Sequence, residues 1–149
     1  MKYLPAFAIV LLAACMIAAV QPKSAPKAAI ARGSYIVNQV SRCGDCHTPM
    51  LKNGQPDNAH RLAGTKLFFK PIVKMPLWGD IAPNLTPAGF LKSWSDAQLE
   101  KFLMTGLDPS GARAEPPMPQ FRMNKDDATA VTAYLRSLPA SKSAYPKPV

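Results

Sequence analysis

Apolar residues recur at helical spacing in three stretches of the chain, and long proline-rich stretches separate them. Ile30, Gly33, Val37 and Val40 fall on one stripe of a helix expected from about Ala28 to Ser41, with Gly33 leaving room for a close neighbour. A second helix is expected after Ser95, where Ser95 and Gln98 have the spacing of a capping box and Gly106 supplies the stop. Its buried face would be Leu99, Phe102 and Leu103. A third should open at Asn124, with Asp126 and Asp127 favouring the positive end of the helix dipole. It would run through Ala128, Val131, Leu135 and Leu138 until Pro139, with Met123 stapled onto Ala128.

The intervening stretches break that pattern. Thr48 to Ser93 holds six prolines and four glycines, and Leu107 to Met123 holds four more prolines. Irregular loops of that length are uncommon inside a compact domain unless they wrap something or act as functional loops.

A different apolar run opens the chain. Leu4 to Val20 carries no charge and follows a lone Lys2, the layout of an export signal rather than a full membrane span. Leu12-Ala13-Ala14-Cys15 has the form of a bacterial lipobox, which would make the protein a lipoprotein anchored through Cys15. Ordinary signal-peptide cleavage after Ala19 and an uncleaved anchor are the alternatives. Gln21 to Ala29, rich in Pro, Ala, Ser and Lys, reads as a tether. The expected organisation is a targeting or anchor segment over 1–20, a linker over 21–29, one domain over 30–140 beginning near Ile30, and a tail over 141–149. The 149 residues leave no space for a second full domain.

Arg42-Cys43-Gly44-Asp45-Cys46-His47 contains Cys-X-X-Cys-His. Two thiols three residues apart at a helix end can form thioethers with two vinyl groups on one porphyrin edge, and the adjacent His47 is then held beneath the iron. A thioredoxin-like pair would sit at a helix start in a β/α sandwich, and no alternating strand pattern surrounds this one. Zinc would need two further ligands at similar spacing, and only His60 is at hand. A haem also explains the long loops, because it replaces the core they lack.

The second iron ligand must come from elsewhere. Met118 lies in Pro116-Pro117-Met118-Pro119, where fixed φ angles make a stiff, extended loop that would hold a thioether in place. Met75 is its rival; Met104 lies within a helix, Met123 has the staple role, and His60 stands in a polar stretch. His/Met ligation closes both axial positions and suits electron transfer.

The formal charge is +9. Removing Lys2 and adding two haem propionates leaves about +6, a balance suited to acidic protein patches or anionic lipid. No nucleic-acid motif appears, so nucleic acid is not an expected partner. Lys52, Lys66, Lys70, Lys74 and Lys92 are the docking candidates.

From about Arg32 to Pro139 the chain resembles the class I cytochromes c, and more narrowly the bacterial monohaem cytochromes related to the cytochrome c subunits of membrane-bound alcohol and aldehyde dehydrogenases. The resemblance is carried by Arg32-Gly33-Ser34-Tyr35, Cys43 to Pro49, Leu62-Ala63-Gly64, Pro83-Asn84-Leu85-Thr86-Pro87, Trp94-Ser95-Asp96, Pro116-Pro117-Met118-Pro119 and Ala133 to Pro139. It implies an all-α cytochrome c fold, with three main helices and long loops wrapped around one covalently bound haem c. The first and last helices would cross with Gly33 against Tyr134, and Met118 would be the distal ligand. Asn84 and Trp94 would line the pocket, Trp94 offering its indole N–H to a propionate; otherwise Asn84 caps a turn before Thr86 and Trp94 fills core. Those dehydrogenase subunits carry three haem motifs and this chain has one.

The expectation is a periplasmic or membrane-tethered electron carrier, not an enzyme, working between a dehydrogenase and a terminal oxidase or another cytochrome. A haem subunit dedicated to one dehydrogenase is the alternative. A haem enzyme or gas sensor would follow if no methionine binds the iron.

Overall fold

The computed structural model describes residues 25–142. The expected export segment, Cys15 and the tail beyond residue 142 lie outside the described residues. Helix α1 covers Lys27–Tyr35 and continues as a wider π turn over Ile36–Val40. Helix α2 is a single turn, Gly44–His47; α3 covers Asp96–Thr105 and α4 covers Lys125–Ser137. The described domain is mostly helical. Two short strands, β1 (Thr65–Lys66) and β2 (Ile81–Ala82), pair antiparallel within the first long loop, a pairing absent from the all-α expectation.

The three long helices form where their caps and stripes place them. Ser95 and Gln98 complete both halves of the capping box of α3, and Gly106, at φ +72°, stops it. The Asn124 side chain accepts the Asp127 N–H at 2.8 Å to open α4. Helix α1 starts earlier than the tether reading allows. The Pro26 carbonyl accepts N–H groups from Ala29 and Ile30 at 2.9 and 3.2 Å, so residues 27–29 are already helical.

The far end of α1 departs from the expected stripe. The π turn widens the helix across these residues, so Ile36 and Val37 at its start are buried while Val40 at its end is exposed. Arg42 then leaves helical geometry at φ +48°. The cysteine motif therefore stands on its own turn, α2, rather than on the end of the first helix.

The core lies between α1, α3 and α4. Val37, Leu62, Leu99, Ala128, Val131 and Leu135 are buried there, and Met123 packs onto the same cluster. Where α1 crosses α4, a Cβ on Gly33 would run into the Ala130 carbonyl and lie 2.8 Å from the Tyr134 Cβ. Only glycine permits that approach. The crossing is framed by Arg32 Nε donating to Asp127 Oδ1 at 2.8 Å and by Asn38 Nδ2 donating to the Tyr134 hydroxyl at 3.1 Å. On the other side of α4, Arg136 donates to Asp96 Oδ1 and to the carbonyls of Leu91 and Trp94 at 2.9, 2.9 and 2.6 Å. One guanidinium thus fixes the entry of α3.

Candidate haem-binding site

Helix α2 presents Cys43, Cys46 and His47 within one turn. The sharp bend that sets it apart is held by Arg42 Nε donating to Asp45 Oδ2 at 2.7 Å. Both thiols are half-buried and not joined as a disulfide. Burial pushes the Cys43 thiol up to about 11 and raises that of Cys46 as well. A redox-active dithiol needs the opposite shift, toward thiolate.

His47 is buried, and its Nδ1 lies 2.7 Å from the Pro83 carbonyl. A carbonyl can only accept, so Nδ1 carries the hydrogen and Nε2 keeps its lone pair. Burial also lowers the imidazolium pKa, overriding the opposing effect of the Pro83 bond. A neutral ring with a fixed tautomer and a free Nε2 is what iron ligation requires.

The backbone around His47 is braced from several sides. Its N–H bonds the Cys43 carbonyl at 3.0 Å and its carbonyl accepts Gly64 N–H at 2.8 Å. Thr48 Oγ1 accepts the Leu62 N–H at 3.1 Å. Leu62 is a non-glycine residue at φ +61°, a costly conformation sustained by the complete burial of its side chain. Gly64, at φ +84°, lets the Pro83–Asn84 peptide close in: a Cβ there would sit 2.6 Å from the Asn84 nitrogen.

Asn84 is buried, and both ends of its amide are engaged. Oδ1 accepts the Thr86 N–H at 2.8 Å and Nδ2 donates to the Ser141 carbonyl at 2.7 Å. These are the bonds of a turn cap, and they also strap residue 141, expected in the tail, onto the loop that orients His47. Trp94 packs edge-on between Phe90 and Phe102, with centroids at 5.3 and 5.4 Å. Phe102 is consequently half-buried, whereas Leu99 and Leu103 are buried.

Met118 is half-buried, and its segment turns rather than extending: the Met118 N–H returns to the Glu115 carbonyl at 3.0 Å. Proline lacks an N–H, so the Met118 amide is the one available to close that turn. Met75 is exposed, while Met104 and Met123 pack against the core. His60 is exposed and its Nδ1 lies 2.7 Å from Asp57 Oδ2. Among the described residues no three His, Cys, Asp or Glu side chains gather as a metal cluster, so the zinc reading finds no further ligands there.

Two residues escaped the sequence reading. Arg61 Nη2 donates to Asn38 Oδ1 at 2.8 Å, and a Cβ on Gly44 would lie 3.2 Å from the same nitrogen; the guanidinium lies over the cysteine turn. Trp78 Nε1 is buried without a partner among the described residues, as is Thr132 Oγ1. Such an atom costs about 1–3 kcal/mol unless something pairs with it. The Trp78 segment adjoins the Met118 loop, since Gly79 N–H donates to the Pro116 carbonyl at 2.8 Å. An indole donor there suits a carboxylate such as a haem propionate. The only signal in the sequence was a lone tryptophan in an irregular loop, which carries no periodicity to read.

The thiol pair beside a buried, tautomer-fixed imidazole within a mostly helical domain defines a covalent haem-binding protein. The chain belongs to the cytochrome c family: that family's model matches residues 30–139. The chain is 35% identical over 117 residues to the fructose dehydrogenase cytochrome subunit of Gluconobacter japonicus, covering 73% of this chain and 22% of that one. It is 31% identical over 114 residues to a diheme cytochrome c-type protein of Cereibacter sphaeroides, covering 73% and 35%. The cytochrome c subunit of the quinone alcohol dehydrogenase of Gluconobacter oxydans is 33% identical over 126 residues, covering 79% and 26%. The chain thus spans between about a fifth and about a third of these relatives' own length. Membership implies covalently bound haem c.

Proposed function

We propose that the chain is an exported electron carrier with one haem c and no catalysis of its own, built on the three-helix all-α cytochrome c plan over residues 30–140. The carrying observation is the buried His47 ring, its Nδ1 committed to Pro83 and its Nε2 free, on the same turn as Cys43 and Cys46. Cys43 and Cys46 would hold the porphyrin through thioethers, His47 would be the proximal ligand and Met118 the distal one. Trp78 would meet a propionate, and Trp94 and the Asn84 turn would form pocket wall. The haem, when bound, supplies a one-electron iron couple. The chain's own residues fix the imidazole's tautomer, keep water from it through burial, and hold the thioether on a tight turn.

The names of the relatives support a dehydrogenase as donor, and with it the reading that this haem unit serves a single dehydrogenase. A terminal oxidase or another cytochrome would accept the electron. The proposed location is the periplasm, with a lipid on Cys15 as tether. Among the described residues no helix is long and apolar enough to cross a membrane. Met118→Ala tests the ligand set. The oxidised protein should lose its far-red thioether–iron band, and the reduced protein should gain carbon monoxide binding. An unchanged band would remove Met118 from the iron, and open carbon monoxide binding in the unmutated protein would favour a gas sensor or haem enzyme.

A further inference from the structure

The loop between β1 and β2 exposes more bulky apolar surface than any other segment described. Ile72 is fully exposed, and Phe68, Val73 and Leu77 are 69%, 66% and 66% exposed. An apolar side chain left in water forgoes its burial energy, and a contiguous group of them marks an interaction site. The loop is nonetheless firmly based. The strands pair Thr65 with Ala82 and Lys66 with Ile81, Leu67 N–H donates to the Asp80 carbonyl at 2.8 Å, and Phe69 packs edge-on against Trp78 at 5.8 Å. Pro71 and Pro76 bracket the tip, which lowers the entropy lost when the tip is immobilised.

The loop itself carries charge of one sign, and the carboxylates of Asp80 and Glu115 stand at its base, beside Lys66 and Gly79. Residues 58–79 contain Arg61, Lys66, Lys70 and Lys74 and no carboxylate. Lys66, Lys70 and Lys74 are all exposed, and the approach of Lys66 to Asp80 is a loose 3.9 Å. Exposed apolar side chains interspersed along the loop with exposed lysines fit a soft apolar medium beneath a layer of anions. They do not need the matching cavity that a protein partner would have to supply.

We propose that residues 67–78 form an interfacial membrane-binding loop. Ile72, Val73, Phe68 and Leu77 enter the headgroup–acyl boundary of a bilayer, and Lys66, Lys70 and Lys74 pair with anionic lipid phosphates. The side chains that enter the bilayer are not those proposed to hold the haem. The contact would fix the orientation of the domain on the bilayer.

The test is hydrogen exchange on the full-length holoprotein, with and without vesicles of phosphatidylcholine containing 30% phosphatidylglycerol. Reading a local rate removes any ambiguity from binding through the segment before residue 25. Amides of residues 67–78 should slow at least about tenfold on the anionic vesicles, with no change in α4. Pure phosphatidylcholine should give little protection. Ile72→Asp with Val73→Asp should abolish it while the haem spectrum and the exchange of α1 and α4 stay unchanged, and Lys66→Gln with Lys70→Gln and Lys74→Gln should weaken it about tenfold or more. An unslowed loop on vesicle-bound protein would overturn the proposal. So would equal protection on neutral vesicles, or a loop slowed by a purified dehydrogenase but not by lipid.

Discussion

The helices and the loops of this domain are held together by different means. In the helical half, α1, α3 and α4 meet through side chains: Val37, Leu99, Leu103, Val131 and Leu135 bury one another, and Gly33 lies directly under the Ala130 backbone. In the loop half, residues 48–93 and 107–123, Leu62 and Leu91 reach into that same core, and the rest is tied largely by hydrogen bonds of the backbone. Gly64 N–H reaches the His47 carbonyl, Leu85 N–H the Leu62 carbonyl and Gly79 N–H the Pro116 carbonyl, at 2.8, 2.9 and 2.8 Å. Each such bond adds only about 1 kcal/mol net, because water offers the same bonds to the open chain. The helical half is closed mainly by its own side chains, with Leu62 and Leu91 added from the loops. The loop half is ordered chiefly by whatever it wraps.

The sharpest way to break this comparison is to remove the wrapped group. Cys43→Ala with Cys46→Ala, which cannot attach haem covalently, should lose amide protection throughout residues 48–93 and 107–123. The α1–α4 crossing should keep measurable protection, and the thermal midpoint should fall further than for any variant below. Equal loss in both halves would show a single cooperative unit and erase the distinction.

Gly33→Val attacks the other half. Its Cβ would meet a backbone carbonyl, which cannot swing aside as a side chain can. Overpacking of this kind costs about 3 kcal/mol, a fall of about 10 °C in a domain of this size. Thermal unfolding of the holoprotein measures it. A variant as stable as the parent would mean that the helices separate at little cost and that the crossing does not anchor the fold.

The same division decided what could be read from the sequence. Ser95, Gln98, Gly106 and Asn124 act on N–H and C=O groups within a turn of themselves, so their positions announced α3 and α4 almost to the residue. The turn carrying Cys43 to His47 was legible for a similar reason: the Cys-X-X-Cys-His pattern proposed to attach the haem occupies five consecutive residues. The exposure of Val40 was not, because the widened turn that ends on it shifts the face by a fraction of a turn that no apolar repeat encodes. The bend at Met118 and the strand pair were also hidden. They depend on which distant carbonyl a given N–H finds, as when Leu67 finds Asp80. Trp78 belongs with these, since its importance lies in a missing partner rather than in any pattern.

Asn84 stands where the two halves are tied together, and its replacement gives the smallest and most local effect. Asn84→Ala leaves the Thr86 N–H without its 2.8 Å acceptor and removes the 2.7 Å donor to the Ser141 carbonyl. That carbonyl keeps the Thr86 hydroxyl at 3.2 Å, and the Ser141 N–H keeps its own bond to the same oxygen at 3.1 Å. The cost should therefore be about 1–2 kcal/mol, less than two buried groups left wholly unpaired. Exchange should quicken over residues 83–87 and after Leu138, and not at the Gly33–Tyr134 crossing. The preceding residue supplies the carbonyl that orients His47, so the midpoint potential of the holoprotein should shift as well. Asn84→Asp keeps an acceptor for Thr86 but loses the donor to Ser141. It should restore most of the potential while leaving the strap loose, which separates the two tasks of one side chain. If instead the crossing quickened as much as the loop, the strap would be part of the helical half and the boundary would have to be drawn on the other side of Pro83.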